Sequence, residues 1–265
     1  MSPRPMAEQL GRVGNAACGV LAKAKRMNPR FPKVFRGFGW MEGRTPKDIV
    51  REGWNQVSSI YRPDDGAIDA FGHSTADHRR WLKPLSKLKS GSKVLDLGCG
   101  CGVPDARVLS RRFDVVGVDI SDVQIARARE LVPQATFLHT DMTQVRFLSG
   151  SFDGAICLYS IIHVPVEEQP DLLDRIGRWV RPGGPFILIA GATAWTGTQA
   201  GWLGSAAEMY WSHADGGSYA RWLEHAGFEI LRRELIPEGE SRHELFNCRK
   251  GKGEVPGRSL LEDLR

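Results

Sequence analysis

Short apolar runs alternate along this chain with stretches in which apolar residues recur every three or four positions. Five runs have the length and composition of buried strands: 94–96, 115–119, 136–139, 152–159 and 186–190; a sixth strand is predicted to begin at 228–231 and a seventh to cover 243–250. Residues 122–131, 172–180 and 219–226 instead show the periodicity of helices with one buried face. Strands that alternate with helices predict an α/β fold, in which helices cover both faces of a parallel sheet.

The first predicted helices lie ahead of the first strand. Residues 45–48, Thr-Pro-Lys-Asp, combine the capping hydroxyl, the proline and the early acid that begin a helix. One face of this helix carries Val50, Trp54, Val57 and Tyr61. A second helix is predicted over 74–88, with Trp81, Leu82 and Leu85 directed inward. Together they predict an N-terminal helical cap over about residues 45–90.

The stretch with the clearest chemistry is 94–102, Val-Leu-Asp-Leu-Gly-Cys-Gly-Cys-Gly. An apolar strand is followed by three glycines at alternate positions, and Pro104 suits the start of a helix. A strand, a glycine loop and a helix in this order present a nucleotide to the mouth of a Rossmann-like sheet. Dinucleotide sites usually have the pattern G-x-G-x-x-G, but here position 103 is valine and the third glycine is Gly102.

With Asp96 ahead of it, this G-x-G-x-G loop resembles motif I of the class I S-adenosylmethionine (SAM) dependent methyltransferases. Within that family it is most similar to the bacterial small-molecule enzymes that resemble methyltransferase types 11 and 25. Four further stretches match the same family. They are Asp119 after the second strand, Asp141 after the third, Phe152-Asp153 opening the fourth with 160–165 after it, and the turn 180–184, Val-Arg-Pro-Gly-Gly. The resemblance covers roughly residues 45–250. It implies a Rossmann-like, seven-stranded, mostly parallel sheet whose last strand is antiparallel.

The resemblance also implies that SAM is the cofactor and S-adenosylhomocysteine the product. The family's cofactor positions correspond here to Asp96, Gly98, Cys99, Gly100, Gly102, Asp119, Ile120, Asp141, Met142 and Leu158. Asp119 would bind the ribose hydroxyls, a role that an acid at this spacing also has in NAD enzymes. For two of the acids, the alternative is a structural role without contact to SAM: Asp96 would brace the loop, and Asp141 would cap a turn, as aspartate often does.

Two histidines are candidates for a general base, because an unperturbed imidazole titrates near neutral pH. His163 follows the fourth strand, where the resemblance places the transferable methyl group. His213 lies in a long insertion over about residues 191–216. The alternative for His163 is that it caps its loop or contacts SAM without moving a proton, since positioning alone suffices in many members of the family.

Aromatic residues are the candidates for substrate binding. They are Trp54 and Tyr61 of the cap and Trp195, Trp202, Tyr210 and Trp211 of the insertion. A connection this long at the carboxyl side of a sheet is where substrate selection is expected. The structural alternative is that the cap face packs on the main core and that the aromatic residues of the insertion form a satellite core.

Charge is distributed unevenly along the chain. Residues 1–41 carry eight lysines and arginines and one glutamate, a net charge of +7, so the rest carries −2 of the total of +5. We interpret residues 1–44 as a basic flexible arm, with a targeting presequence or a start at Met41 as alternatives. Residues 251–265 are predicted to be a polar tail. The overall basicity therefore gives no reason to expect nucleic-acid binding by the domain over 45–250.

The five cysteines, an odd number, argue against a disulfide framework and for a reducing compartment, which we take to be the cytoplasm. Cys99 and Cys101 lie inside the glycine loop and lack the C-x-x-C spacing of a structural zinc site, so no metal is expected. No apolar run reaches the ~20 residues that span a bilayer.

The sequence therefore predicts SAM-dependent methyl transfer, by in-line displacement, to a small apolar or aromatic molecule. The accepting atom is open between oxygen, nitrogen, sulfur and carbon. An NAD-dependent oxidoreductase is one alternative: it shares Asp119, but Val103, Asp141 and the 181–184 turn count against it. A nucleic-acid-directed or non-catalytic methyltransferase-like protein is another, which the basic arm favours. The expected partners are a small-molecule substrate and, as an option, a second copy of the chain.

Overall fold

The computed structural model describes residues 43–238 and 241–252, so nearly all of the predicted arm and tail lies outside the described residues. The α-helices are α1 (Pro46–Tyr61), α2 (Thr75–Trp81), α3 (Asp105–Leu109), α4 (Asp122–Leu131), α5 (Gln169–Trp179) and α6 (Gly216–His225). The strands are β1 (Lys93–Leu97), β2 (Asp114–Asp119), β3 (Thr136–His139), β4 (Gly154–Leu158), β5 (Pro185–Gly191), β6 (Trp195–Ala200), β7 (Glu208–His213), β8 (Phe228–Glu238) and β9 (Ser241–Lys250). Short 3₁₀ helices occur at Lys83–Lys87, Ile161–His163, Val166–Glu168 and Trp202–Gly204. Within the described residues, no helix combines the length and hydropathy that crossing a bilayer requires.

Seven strands form one sheet in the order β3-β2-β1-β4-β5-β9-β8. The first five are parallel, so that Leu95 of β1 lies opposite Val116 of β2 and Ala155 of β4. β9 runs antiparallel to β5, with Asn247 opposite Ile187. The predicted seven-stranded, mostly parallel sheet with an antiparallel last strand is confirmed.

Both faces of the sheet are covered by apolar packing. Val94 belongs to one buried cluster, together with Ile125 and Ala128 of α4, while Leu95 belongs to a second cluster with Leu172 of α5. Successive side chains of a strand point to opposite faces, which explains why the neighbouring positions Val94 and Leu95 are both apolar.

The strand order reverses between β1 and β4. From β1 the chain moves outward to β2 and β3, and then returns to place β4 on the other side of β1. In an open parallel sheet, a ligand crevice opens at such a switch point, outside the carboxyl ends of the strands. Here those ends carry the glycine loop after β1 and residues 159–163 after β4.

α1 begins where the sequence predicts. The Thr45 side chain accepts a hydrogen bond from Asp48 N, and the Asp48 carboxylate accepts one from Thr45 N at 3.0 Å, which is a complete capping box. The predicted inward positions Val50 and Val57 are buried in a cluster with Met209 of β7. The cap helix therefore rests on the insertion.

The second predicted helix, over 74–88, is shorter than expected. α2 ends at Trp81, and residues 83–87 form a 3₁₀ helix instead. The reason is Pro84, which has no amide hydrogen to continue an α-helix and whose ring crowds the preceding turn. Trp81, Leu82 and Leu85 are nevertheless buried as predicted.

The insertion after β5 contains a hairpin that is absent from the sequence-based prediction. β6 and β7 pair antiparallel, with Trp195 opposite His213, and form a separate two-stranded sheet. Exposed and half-buried positions alternate along β6, as expected for a strand with one covered face. The expected long connection is thus a structured element rather than a loop.

Candidate functional site

The glycine loop folds back against β2. Gly98 N and Cys99 N both donate to Val118 O, at 2.7 and 3.0 Å. Gly100 N donates to Asp119 Oδ2 at 2.9 Å. The backbone of the loop is therefore held by the end of the neighbouring strand, and its position depends on the Asp119 carboxylate.

Asp119 also fixes the start of α4. Its Oδ1 accepts a hydrogen bond from Ser121 N at 2.9 Å, and the Ser121 hydroxyl caps the helix. Burial raises the pKa of Asp119 above its ordinary value, although the amides of Ser121 and Gly100 oppose the shift. Each carboxylate oxygen has a second lone pair, so the group can still accept hydrogen bonds from a ligand.

Two adjoining cavities, of about 450 and 620 Å³ with the open space at their mouths, lie between the cap and the carboxyl ends of the strands. Both are lined by Trp54, Gly98, Asp119, Ser160 and His163. Eight of the ten predicted cofactor residues line this cleft: Gly98, Cys99, Gly100, Asp119, Ile120, Asp141, Met142 and Leu158. The fold thus brings together residues from the ends of four parallel strands.

Asp96 and Gly102, the other two predicted cofactor residues, do not line either cavity. Asp96 is buried, and its Oδ2 has no hydrogen-bond partner among the described residues. Gly102 faces the other way: a Cβ there would lie 3.1 Å from Val132 and 3.2 Å from Phe137. The third glycine therefore permits close packing of the loop on α4 and β3, and the structure gives it no place in the cleft.

Asp141 meets a residue that the sequence did not indicate. Lys47 Nζ of the cap lies 2.8 Å from Asp141 Oδ2 and 2.5 Å from Glu168 Oε2. The Thr143 amide and hydroxyl also donate to Asp141, at 2.8 and 2.7 Å. Burial alone would raise the pKa of Asp141, but Lys47 and Thr143 lower it below its ordinary value. Asp141 therefore caps a turn and also lines the cleft, and its contact with adenine stays a prediction.

His163 is carried into the cleft by the 3₁₀ helix after β4. Its Nδ1 lies 2.8 Å from Tyr210 O. Because a carbonyl only accepts, Nδ1 carries the hydrogen and Nε2 is the accepting nitrogen. Burial lowers the pKa of His163 to about 4, so the ring is neutral at pH 7. The residue therefore anchors the insertion, and its neutral imidazole lines both cavities.

Acidification is expected to destabilise the fold through His163. Its pKa is about 4 in the folded state and about 6.5 in an unfolded chain. The unfolded state thus binds more protons between these values, so the free energy of unfolding falls as the pH drops from 6.5 towards 4, by up to about 3 kcal/mol. His163→Asn keeps an amide donor near Tyr210 O but does not titrate, and should flatten this slope.

Urea unfolding at pH 7 and pH 5 measures the effect of His163→Asn. The exposed His139 provides the control substitution His139→Asn, which should leave the slope as in the wild type. Equal pH slopes for the wild type and His163→Asn would contradict the buried, neutral state of the His163 ring.

His213 and Trp195 lie at the far end of the hairpin. His213 Nδ1 donates to Thr193 O at 2.6 Å, and its ring centroid is 6.2 Å from that of Trp195. Neither residue lines the two cavities. Burial lowers the pKa of His213. The structure therefore separates the two candidate bases, with His163 in the cleft and His213 outside its walls.

Five rings form an aromatic cluster beside the cleft: Trp54, Tyr61, His163, Trp202 and Trp211. The Trp54 ring lies 4.9 Å from those of both Tyr61 and Trp202, and His163 lies 4.5 Å from Trp211. Trp54 and Tyr61 also line the larger cavity. Tyr210 is buried behind this cluster and contributes its carbonyl to His163. The cluster is packed like a satellite core: Trp54, Tyr61 and His163 line the cleft, whereas the predicted substrate residues Trp202, Tyr210 and Trp211 line neither cavity.

A polar group surrounds Tyr159, directly after β4. This residue has a left-handed backbone, with φ of 57°, which is strained for a tyrosine. Its ring lies between the rings of His73 and His243, at 5.4 and 5.0 Å, and both histidines contact the Glu238 carboxylate. Burial and the Glu238 charge raise the pKa of Tyr159. The sequence signal for this group was weak, because its members come from four separate segments.

The comparisons with known proteins agree with this geometry. A family model described as a methyltransferase domain matches residues 94–184. A sterol 24-C-methyltransferase of Aspergillus fumigatus is 34% identical over 161 residues, which is 58% of this chain and 40% of that protein. The matched part of the chain spans about two fifths of the length of the curated relatives.

Solved structures share the fold at lower identity. A magnesium protoporphyrin IX methyltransferase from Synechocystis PCC 6803, with bound S-adenosylhomocysteine, superposes with a TM-score of 0.58 at 20% identity, over 78% of this chain and 100% of the other. A [4+2]-cyclase, SpnF, superposes with a TM-score of 0.60 at 18% identity, over 79% and 97%. The matched model spans the glycine loop, Asp119, Asp141 and the turn before β5, so residues 94–184 of this chain are similar to a methyltransferase domain.

Proposed function

We propose that this protein is an enzyme that transfers a methyl group from SAM to a small molecule. The observation that carries the proposal is the meeting of the glycine loop, Asp119 and Asp141 in the walls of one cleft at the switch point of the sheet. These are the positions at which the family resemblance places the methionyl, ribose and adenine parts of SAM. The relatives' name, sterol 24-C-methyltransferase, supports a small-molecule acceptor.

The charges of the cleft fit SAM, whose sulfonium and ammonium groups outnumber its single carboxylate. Asp96, near the end of β1 and outside the cavity walls, is the most informative neighbouring group, because its buried Oδ2 has no partner among the described residues. A buried carboxylate oxygen without a hydrogen bond costs free energy. Burial, with the charges of Asp105 and Asp119, raises the pKa of Asp96 well above its ordinary range. A cationic ammonium beside this oxygen would supply the missing partner and oppose the shift.

When bound, SAM supplies an electrophilic methyl group on its sulfonium. The residues of this chain then have to align the accepting atom with the methyl–sulfur bond and exclude water. Trp54 and His163 line both cavities and also belong to the aromatic cluster, so we place the transfer beside them. Nε2 of the neutral His163 is the atom suited to take a proton from an acceptor hydroxyl or amine.

We further infer that the acceptor is apolar or aromatic. Three rings of the aromatic cluster, those of Trp54, Tyr61 and His163, line the cleft. Aromatic rings bind planar and apolar molecules through large contact areas at well-defined geometries. The cluster therefore supports a planar or isoprenoid-like acceptor over a small, highly charged one.

We also infer a reducing compartment such as the cytoplasm. Cys99, Cys101, Cys157 and Cys248 are all free thiols, and Cys99 lines the cleft. Thiols in such positions persist where glutathione or thioredoxin keep them reduced.

Calorimetry with SAM, S-adenosylhomocysteine and NAD on the wild-type protein tests the cofactor. We expect both adenosyl ligands to bind and NAD to give no heat. Methyl-labelled SAM with a panel of aromatic and isoprenoid-like acceptors then tests the reaction. Binding of NAD alone would overturn the proposal. Binding of S-adenosylhomocysteine without transfer to any acceptor would favour the non-catalytic alternative, and label on RNA the nucleic-acid-directed one.

A further inference from the structure

Arg62 is a charged residue of the cleft that the sequence did not single out. It follows the last residue of α1, and its side chain is only 4% exposed. The guanidinium lines the larger cavity together with Gly98 and Gly100 of the glycine loop. A cation buried at the wall of a ligand cleft is costly unless its donors find acceptors, so its partners decide what it does.

The protein satisfies only part of this guanidinium. Nη2 donates to Asp69 Oδ2 and to His78 Nε2, both at 3.0 Å. His78 Nδ1 lies 2.8 Å from Asp105 Oδ1, so it carries the ring hydrogen and Nε2 is free to accept. The Tyr61 hydroxyl also neighbours the guanidinium. Nη1, however, makes no hydrogen bond to any described residue, although it is buried.

Most amides of the glycine loop already donate hydrogen bonds within the protein and are not available to an incoming carboxylate. Gly98 N and Cys99 N donate to Val118 O, Gly100 N donates to Asp119, and Gly102 N donates to Cys99 O. Of the amides from Gly98 to Gly102, only that of Cys101 is left for an incoming carboxylate, so a further donor would strengthen its binding. Arg62 Nη1 is a charged donor in the same wall, and a charge-assisted hydrogen bond to it is among the strong ones.

Two unpaired groups of opposite charge thus flank one loop: the Arg62 Nη1 donor, whose residue lines the larger cavity, and the Asp96 Oδ2 acceptor, which is buried outside the cavity walls. An α-amino acid end carries the complementary pair, a carboxylate and an ammonium. We propose that Arg62 binds the α-carboxylate of the amino-acid end of SAM, a role that rests on the proposed function. Asp69 and, through His78, Asp105 hold the guanidinium in place for this contact.

Decarboxylated SAM, which lacks only the α-carboxylate, tests the proposal by calorimetry. In the wild type we expect it to bind at least about tenfold more weakly than SAM, since a charge-assisted hydrogen bond is lost, even though its greater positive charge suits the acidic cleft. In Arg62→Met the two ligands should bind alike, because the partner of the carboxylate is gone. Measuring both ligands on both proteins is a thermodynamic cycle, which separates the Arg62–carboxylate contact from any general loosening of the cap.

Arg127→Met is the matched control. Arg127 also ties the cap to the domain, through Ser58 Oγ, Arg62 O and Asp64, but it does not line either cavity. Its substitution should leave the preference for SAM over decarboxylated SAM as in the wild type. Arg62→Lys, which keeps the charge, should retain part of the preference and serves if Arg62→Met does not fold.

The outcomes separate the two proposals. Equal binding of SAM and decarboxylated SAM by the wild type would overturn the role of Arg62 while leaving SAM binding intact. The same ligand preference in Arg62→Met as in the wild type would also overturn it and make the residue a purely structural tie of the cap. If neither SAM nor decarboxylated SAM binds the wild type, the proposed function itself fails, and the role of Arg62 falls with it.

Discussion

Replacing Asp119 with alanine is expected to weaken the binding of S-adenosylhomocysteine by at least about 100-fold. Hydrogen bonds from two ribose hydroxyls to a buried carboxylate are each worth about 1.5–3 kcal/mol, and every 1.4 kcal/mol is about tenfold in affinity. The substitution also leaves Gly100 N and Ser121 N without their acceptor. The glycine loop and the start of α4 would both loosen, which adds to the loss. Calorimetry on the wild type and the variant measures it.

Asp122→Ala is the control for this experiment. Asp122 lies in the first turn of the same helix, where it contacts Asn55, and it does not line the cleft. Its removal should change the affinity by no more than about twofold, as is usual for a surface position. Unchanged affinity in Asp119→Ala would remove this carboxylate from the ribose site and would require a different orientation of the cofactor.

Much of the fold is legible in the sequence because local signals and tertiary structure agree. The helix predicted over 122–131 is α4 at the same residues, since Ser121 caps it and Ile125 and Ala128 are buried on one face. The hairpin of β6 and β7 is different. Residues 195–200, Trp-Thr-Gly-Thr-Gln-Ala, have few strand-forming apolar side chains, and their pairing with β7 supplies what local preference does not.

The candidate site also contains residues that the sequence predicts and residues that it does not. The glycine loop, Asp119 and Asp141 follow strand ends directly, so their meeting follows from the parallel order of the sheet. Lys47 and Arg62 reach the cleft from the cap, and nothing in their local sequence indicates which part of the sheet the cap covers. Long side chains on a packed helix are placed by tertiary contacts, which a single sequence does not specify.

The sequence also does not determine which of the two candidate histidines lies in the cleft. Both follow apolar, aromatic segments near the carboxyl side of the sheet, and the sequence ranks them only weakly. The structure distinguishes them by register: His213 is the last residue of β7 and points to Thr193, whereas His163 lies in the turn that closes over the cleft. The element that carries each imidazole, the turn after β4 or the end of the hairpin, therefore decides which of the two lines the cleft.

Gly98→Ala is expected to destabilise the protein by about 3 kcal/mol or more, from the combined backbone and packing costs, and to abolish binding of S-adenosylhomocysteine. Gly98 has φ of +74°, a conformation that L side chains rarely adopt. A Cβ there would also overlap the Cβ of Ser160 and lie 2.5 Å from its Oγ. Ser160 donates to Leu97 O at 2.6 Å and lines both cavities, so its displacement would disturb β1, β4 and the cleft together. Urea unfolding and calorimetry measure the two effects.

Gly183→Ala separates the backbone cost from the collision. Gly183 has a similar φ of +82°, but a Cβ there would meet nothing within 4 Å, so only the strain of about 1 kcal/mol is expected. Removing the Ser160 side chain in the double variant Gly98→Ala/Ser160→Gly should recover part of the lost stability, since it takes away the overlapping carbon. Equal destabilisation by Gly98→Ala and Gly183→Ala would mean that the loop does not press against Ser160. The pairing of β1 with β4 would then account for the neighbouring positions of the glycine loop and the turn that carries His163 without that contact.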